Sequence, residues 1–181
     1  IGQQGMEKVA NWAAEVGLDS LDVPELTPDV IKACDHAGIT VGTVDVKNVG
    51  QLLSINEESR ANAVNSLKQQ MDHISSLGAR TIFICLVPED PQLSRKKGFA
   101  IWKETFPEIV KHAEQTGLYI AIEGWPGPAP YYPTLGCTPE MLRAMFETIP
   151  SQHFGMTYDP SHLVRLGIDY IRVLNEFGER V

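Results

Sequence analysis

Apolar residues follow two alternating patterns along this chain, one spaced as in a helix and one continuous. Stripes with three- and four-residue spacing are clearest at residues 61–77 and 99–113. Such stripes predict amphipathic helices that bury one face. Four stripes end at a glycine, which adopts the left-handed conformation after a helix at least cost. Six helices are predicted, at about 5–16, after Thr27, at 61–77, at 99–113, after Thr138 and at about 167–177, the last with Ile168, Ile171 and Leu174 facing inward.

Short apolar, β-branched runs separate the predicted helices. The run at residues 80–87, RTIFICLV, is apolar almost throughout, as strands of a parallel sheet covered on both faces are. Similar runs lie at residues 18–23, 39–44, 118–123 and 154–158. Strands that alternate with helices of this length indicate βαβ units and a parallel sheet.

Five parallel strands fit two architectures. A doubly wound open sheet usually carries a glycine-rich phosphate loop after its first strand, and no G-x-G-x-x-G or Walker A pattern is present. A complete (β/α)8 barrel needs about 250 residues, whereas this chain has 181. We therefore predict one α/β domain over residues 1–181. It is a partial (β/α)8 TIM barrel with five parallel strands and six helices, lacking the first strand and the last two.

Two of the predicted strands end in a carboxylate. Glu123 closes the run LYIAIE, and Asp159 follows the run FGMTY. Active sites of barrels collect at the C-terminal ends of the strands, so these two acids on consecutive strands are expected to meet. A buried carboxylate needs a partner, either a Lys or Arg or a metal ion. The other strand ends carry no Lys or Arg, which favours a metal ion as the partner. Oxygen ligands suit Mn²⁺, Mg²⁺ or Co²⁺, and Zn²⁺ stays possible because an imidazole is close in the sequence.

Two neighbouring side chains extend this candidate site. His162 lies in the turn after Asp159, and we predict that it contacts the substrate. Trp125 follows Glu123 by two residues and is either an apolar wall for a sugar ring or a packing residue. The proline-rich stretch at residues 126–133 is likewise either a pocket wall or an ordinary rigid surface loop.

Nucleophilic catalysis is not indicated. Ser161 lies near a histidine but lacks a G-x-S-x-G elbow, and Cys85 is predicted in mid-strand, where a thiol is usually inert. Four further acids lie near strand ends without a distinguishing pattern: Asp22, Glu25, Asp45 and Glu89.

Composition narrows the classes of partner. The net charge is −8 and the one compact basic cluster, at residues 95–97, is short, so a nucleic-acid surface is not expected. The longest apolar run, at residues 82–87, is too short to cross a bilayer. Three widely spaced cysteines indicate reduced thiols in a cytoplasmic compartment. Because the chain begins at Ile1, a targeting segment upstream stays open.

The runs YIAIEGW, CTPEMLRAMFETI and FGMTYDPSHL together resemble the sugar phosphate isomerase/epimerase family of the xylose isomerase-like TIM barrel superfamily. The segments GLDSLDVPEL and LGARTIFICLVP are similar to its second and fourth strands, so the resemblance covers nearly the whole chain. In that family, a glutamate ending the fifth strand and an aspartate ending the sixth bind a divalent metal, and a histidine contacts the substrate. Glu123, Asp159 and His162 match these three positions.

The resemblance implies a metal-dependent isomerase or epimerase that acts on a sugar, sugar phosphate, polyol or keto acid by proton transfer next to a carbonyl. Glu123 would be both a metal ligand and one of two acid/base groups. The family completes its site with a histidine and a glutamate on its seventh and eighth strands. These are absent from this chain, so we expect the fragment alone to be inactive.

Two other functions stay open from the sequence. One is a carbohydrate-binding relative that keeps the barrel without catalysis. The other is an apurinic-site endonuclease of the same superfamily, against which the sparse strand-end histidines and the negative charge argue. The expected partner is a small sugar-like molecule, and exposed edge strands would favour self-association into a homo-oligomer.

Overall fold

Five parallel strands form one sheet in the computed structural model, which describes residues 5–181. Neighbours in the sheet are neighbours in the chain throughout, without the reversal of order that defines a doubly wound sheet. The predicted parallel five-stranded α/β arrangement is therefore confirmed. In chain order the strands are β1 (Ser20–Val23), β2 (Thr40–Asp45), β3 (Thr81–Ile84), β4 (Tyr119–Glu123) and β5 (Phe154–Thr157).

Helices precede, connect and follow these strands. Two begin at the predicted Thr-Pro-acid signals, where the side chains of Thr27 and Thr138 accept N–H groups of the first turn. The basic residues 95–97 form the first turn of a helix capped by Ser94. The α-helices are α1 (Met6–Glu15), α2 (Pro28–Ala37), α3 (Glu57–Ser76), α4 (Arg95–Thr116), α5 (Pro139–Thr148), α6 (Pro160–Arg165) and α7 (Tyr170–Phe177), with 3₁₀ segments at Val49–Leu53 and Gly178–Arg180.

The described residues thus contain one α-helix more than the six predicted. The additional helix is α6, which contains His162, a residue that the sequence placed in a turn. Asp159 caps this helix by accepting the N–H of Ser161 at 2.8 Å, and Pro160 occupies its first position. A six-residue helix is too short to show an apolar stripe, which explains why the periodicity did not reveal it.

Residues alternate between two environments along β3, β4 and β5. Even-numbered residues such as Ile122 and Phe154 are buried, whereas odd-numbered residues such as Ala121, Glu123 and Thr157 are half-buried. Phe154 packs against Trp102, Phe106 and Phe146, with ring centroids 5.9, 5.5 and 5.3 Å from its own. The buried face is therefore the one under the helices, and the half-buried face is the one that lines the inside of a barrel.

The last helix buries a different face from the one predicted. Val173 and Phe177 are buried, whereas Ile171 is 52% and Leu174 38% exposed. Ile168 is partly buried against the core, as expected. The helix begins at Tyr170 with Asp169 as its cap. Its buried face is formed by Val173 and Phe177, which lie four residues apart and therefore on the same side of the helix.

None of the helices within residues 5–181 is both long enough and apolar enough to span a bilayer.

Candidate metal and substrate site

The register of β4 and β5 brings the two strand-end carboxylates together. Glu123 is the last residue of β4 and lies opposite Thr157 of β5. Asp159 follows Thr157 by two residues. Because side chains at i and i+2 of a strand share one face, Glu123, Thr157 and Asp159 all point to the face opposite the helices.

His162 joins these two carboxylates from the first turns of α6. Its Nε2 lies 3.4 Å from Oε1 of Glu123 and 3.5 Å from Oδ2 of Asp159. One ligand atom from each of the three residues falls within 4.8 Å of the other two. The side chains of Glu123 and His162 are each 20% exposed and that of Asp159 is 38% exposed. The group is therefore partly buried yet open to a small ligand.

Asp159 uses its two oxygens differently. Its Oδ1 accepts the N–H of Ser161 and caps α6, while Oδ2 faces His162. Interaction with the Ser161 side chain contributes most to lowering the pKa of this carboxyl. Partial burial opposes that effect, and the Ser161 N–H and the charge of His162 add to it. Asp159 is thus held in the ionised form that a cation needs.

The donor set fits a divalent cation. Within residues 5–181, the only basic side chain in ion-pair contact with Glu123 or Asp159 is that of His162. Two carboxylates and one imidazole leave a net negative charge even when the imidazole is protonated, so a further cation would balance the group. Two carboxylate ligands suit Mn²⁺, Mg²⁺ or Co²⁺, and the nearby imidazole also admits Zn²⁺.

Cys85 is a neighbour of Glu123 that the sequence did not reveal. The sequence placed it in mid-strand, but β3 ends at Ile84, which lies opposite Ile122 of β4. Cys85 therefore comes level with Glu123 just past the strand. Burial raises the pKa of the Cys85 thiol to about 12, with the charge of Glu123 adding to the effect. The thiol is neutral at physiological pH, as expected of an inert cysteine.

The loop between β4 and α5 (residues 124–137, the β4–α5 loop) flanks the site. Residues 126–127 and 133–137 are buried, and only the tip at 128–131 is fully exposed. The loop is therefore packed into the protein at both ends. Trp125 is half-buried at its start, and its contact with a substrate stays a prediction.

Two of the other strand-end acids have partners of their own. Asp22 accepts the N–H of Thr43 at 2.7 Å, and Glu25 forms an ion pair with Lys47 at 3.2 Å. The pKa of Asp45 is raised, by partial burial and then by the charge of Asp22. Asp22, Glu25, Asp45 and Glu89 all lie outside the cluster of Glu123, Asp159 and His162.

A comparison with protein families identifies the fold. The xylose isomerase-like TIM barrel family matches residues 2–181. The chain belongs to this family. A search of curated proteins found no match.

Solved structures similar to this chain share the fold at low sequence identity. One is the 3-keto-D-glucoside 4-epimerase YcjR from E. coli (16% identity, TM-score 0.76, covering 98% of this chain and 72% of that one). Another is a D-tagatose 3-epimerase-like protein (23%, 0.73, 97% and 67%). A third is an L-ribulose 3-epimerase (17%, 0.79, 97% and 62%). The chain thus spans between 62 and 72% of the length of these structures.

The comparisons confirm the family resemblance and the partial-barrel architecture predicted from the sequence. The relatives named above are sugar epimerases or similar to one. At this level of identity they establish the fold of this chain.

Proposed function

We propose that this chain supplies part of the active site of a divalent-metal-dependent sugar isomerase or epimerase. The observation that carries the proposal is the cluster of Glu123, Asp159 and His162 at the C-terminal ends of adjacent barrel strands, without a Lys or Arg ion pair within residues 5–181. The proposed substrate is a sugar, a sugar phosphate, a polyol or a keto acid. The remaining ligands and the second acid/base group would lie outside residues 1–181.

Each residue of the cluster has a task in this proposal. Glu123 and Asp159 hold the ion, and Glu123 also moves a proton at its carboxylate to or from the carbon next to the substrate carbonyl. His162, with its Nε2 between the two carboxylates, donates a hydrogen bond to a substrate oxygen. The bound ion would supply positive charge where negative charge develops on the substrate oxygens.

Two neighbours support this chemistry without taking part in it. The Cys85 thiol has a pKa of about 12, so it does not give up its own proton while Glu123 exchanges one. Trp125, half-buried two residues after Glu123, offers an apolar surface to the carbon-bound hydrogens of a sugar ring.

Solvent deuterium exchange tests the proposal in the complete protein. Ketoses would be incubated with Mn²⁺ in D₂O, and incorporation of deuterium next to the carbonyl followed by NMR. Glu123→Gln should slow incorporation by about 10²–10⁴-fold, because it removes an acid/base group. Glu147→Gln, an exposed change on α5, is the matched control and should leave the rate unchanged.

Either of two results would refute the proposed activity. One is an exchange rate in Glu123→Gln equal to that of the unaltered protein. The other is tight sugar binding with neither Mn²⁺ binding nor exchange, which would favour a carbohydrate-binding relative without catalysis.

A further inference from the structure

A cationic side chain and an aromatic ring meet between the two segments that flank the candidate site. Arg165 follows His162 by three residues on α6, so both side chains lie on the same side of the helix. The guanidinium carbon of Arg165 is 5.4 Å from the ring centroid of Tyr132, which belongs to the β4–α5 loop. This contact joins the segment after Glu123 to the helix after Asp159.

The backbone of Tyr132 is held in an unusual conformation. Its φ is 45°, a value that non-glycine residues rarely adopt. Such a conformation is strained and persists only when the surrounding structure imposes it. The buried residues 133–137 directly after Tyr132 provide that constraint. The ring is thus placed against Arg165 by the fold of the loop.

The in-plane donors of Arg165 are not used within residues 5–181. Arg143 pairs with Glu176 at 2.7 Å and Arg60 with Glu104 at 3.7 Å, whereas the contact of Arg165 is with the Tyr132 ring alone. A ring occupies the face of a guanidinium and leaves its N–H groups free in the plane. Those groups match the two oxygens of a carboxylate or phosphate.

We propose that Arg165 binds an anionic group of the substrate, at the end of the molecule away from the reacting carbon. The inference rests on the proposed function of Glu123, Asp159 and His162. Three residues of helix separate His162 from Arg165 by about 4.5 Å along the axis, and the long arginine side chain extends this reach. That separation suits a five- or six-carbon sugar whose terminal carbon carries the anion.

An anionic substrate would need a cationic side chain at this surface. The chain has a net charge of −8, and two carboxylates face the site. An anion approaching this surface meets repulsion unless a cation is placed to receive it. Arg165 provides such a cation within one helical turn of His162.

Binding measurements with three related ketoses test the inference. Dissociation constants of the complete protein would be measured for D-fructose, D-fructose 6-phosphate and D-fructuronate. At least one anionic ligand should bind about tenfold more tightly than D-fructose, as expected for charge-assisted hydrogen bonds to the exposed Arg165. A phosphate binder prefers the phosphate ester, and a carboxylate binder prefers the uronate.

Four variants identify the residue responsible. Arg165→Gln should abolish the preference for the anion. Arg165→Lys should retain only part of it, because lysine keeps the charge but lacks the paired, planar N–H donors of a guanidinium. Tyr132→Leu should weaken the preference by leaving Arg165 unsupported. Arg172→Gln removes an exposed arginine from α7 and should leave the preference intact, and thermal unfolding checks that each variant is folded.

Two outcomes would overturn the inference. One is equal affinity for all three ketoses in the unaltered protein. The other is an anion preference that survives in folded Arg165→Gln. Mn²⁺ binding and deuterium exchange, measured in the same proteins, report separately on the proposed function. Exchange without an anion preference refutes the role of Arg165 alone, whereas an Arg165-dependent preference without Mn²⁺ binding refutes the metal-dependent activity.

Discussion

Asp159 has two tasks that substitution can separate. Its Oδ1 caps α6 through the N–H of Ser161 at 2.8 Å, and its Oδ2 lies 3.5 Å from Nε2 of His162 on the side of the proposed metal. Asp159→Asn keeps an acceptor for the cap but removes the charge. Asp159→Ala removes both. Comparing the two variants therefore distinguishes the contribution to folding from the contribution to metal binding.

The expected magnitudes follow from these contacts. Loss of a capping side chain costs about 1 kcal/mol, and asparagine caps about as well as aspartate. Asp159→Ala should therefore lower the free energy of unfolding by about 1 kcal/mol, which is a melting shift of about 2–4 °C for a protein of this size. Asp159→Asn should lower the free energy of unfolding by only about a few tenths of a kcal/mol, because it removes a negative charge at the start of the helix. Both variants should weaken Mn²⁺ binding at least about tenfold, since changes around the ligands alone reach that size.

The effect of pH has a definite sign. The pKa of Asp159 is lower in the folded protein than its ordinary value, chiefly through the Ser161 side chain. The carboxylate therefore contributes stability at neutral pH, and that contribution is lost as the pH falls through the folded-state pKa. The stability difference between the unaltered protein and Asp159→Asn should shrink in acid.

Urea unfolding with EDTA present measures how much the cap contributes to the free energy of unfolding. Calorimetric titration with Mn²⁺ measures how much Asp159 contributes to metal affinity. Asp169→Ala is the matched control, because Asp169 caps α7 by accepting the N–H of Arg172 at 3.1 Å. It should cost similar stability without changing Mn²⁺ affinity. If Asp159→Asn proved as unstable as Asp159→Ala, the capping argument would fail. Unchanged Mn²⁺ affinity in Asp159→Asn would show that Asp159 is not a metal ligand.

Two further predictions concern the core and the half-buried thiol of Cys85. Phe154→Ala should lower the free energy of unfolding by about 3–5 kcal/mol, because Phe154 packs against the rings of Trp102, Phe106 and Phe146; a urea midpoint equal to that of the conservative Phe154→Leu would contradict this. Cys85, half-buried and with a pKa of about 12, should react with iodoacetamide at about pH 8 far more slowly in the folded protein than in urea, and equal rates would contradict its raised pKa. The free energy of unfolding should fall as the pH rises from the ordinary thiol range towards 12. The reason is that the Cys85 thiol ionises at a lower pH in the unfolded chain than in the folded protein.

The meeting of Glu123 and Asp159 could be predicted because it depends only on strand order and side-chain alternation. Consecutive parallel strands end at the same edge of the sheet, and both acids follow a run of strand residues. Neither condition requires knowledge of loop conformation. The sequence therefore located the pair correctly, and β4 and β5 each differ from the predicted run by one residue.

The position of Cys85 could not be predicted in the same way. The apolar run at residues 80–87 continues past the end of β3 at Ile84. Its second half is covered by the β4–α5 loop, where the N–H of Leu135 donates to the carbonyl of Leu86 at 3.2 Å. An apolar residue under a loop looks the same in sequence as one inside a strand, so the run was interpreted as a single long strand.

The residues proposed for catalysis and those proposed for substrate specificity are held by different kinds of structure. Glu123 ends β4, Asp159 follows β5 and caps α6, and His162 lies in α6, so a parallel ladder and a capped helix end hold all three. Their geometry is therefore fixed by regular structure. The contact of Arg165 with Tyr132 depends instead on the path of a loop. Barrel enzymes change substrates by changing such loops while the strand ends keep their positions, so a change at Tyr132 should alter which ketose binds without altering the affinity for Mn²⁺.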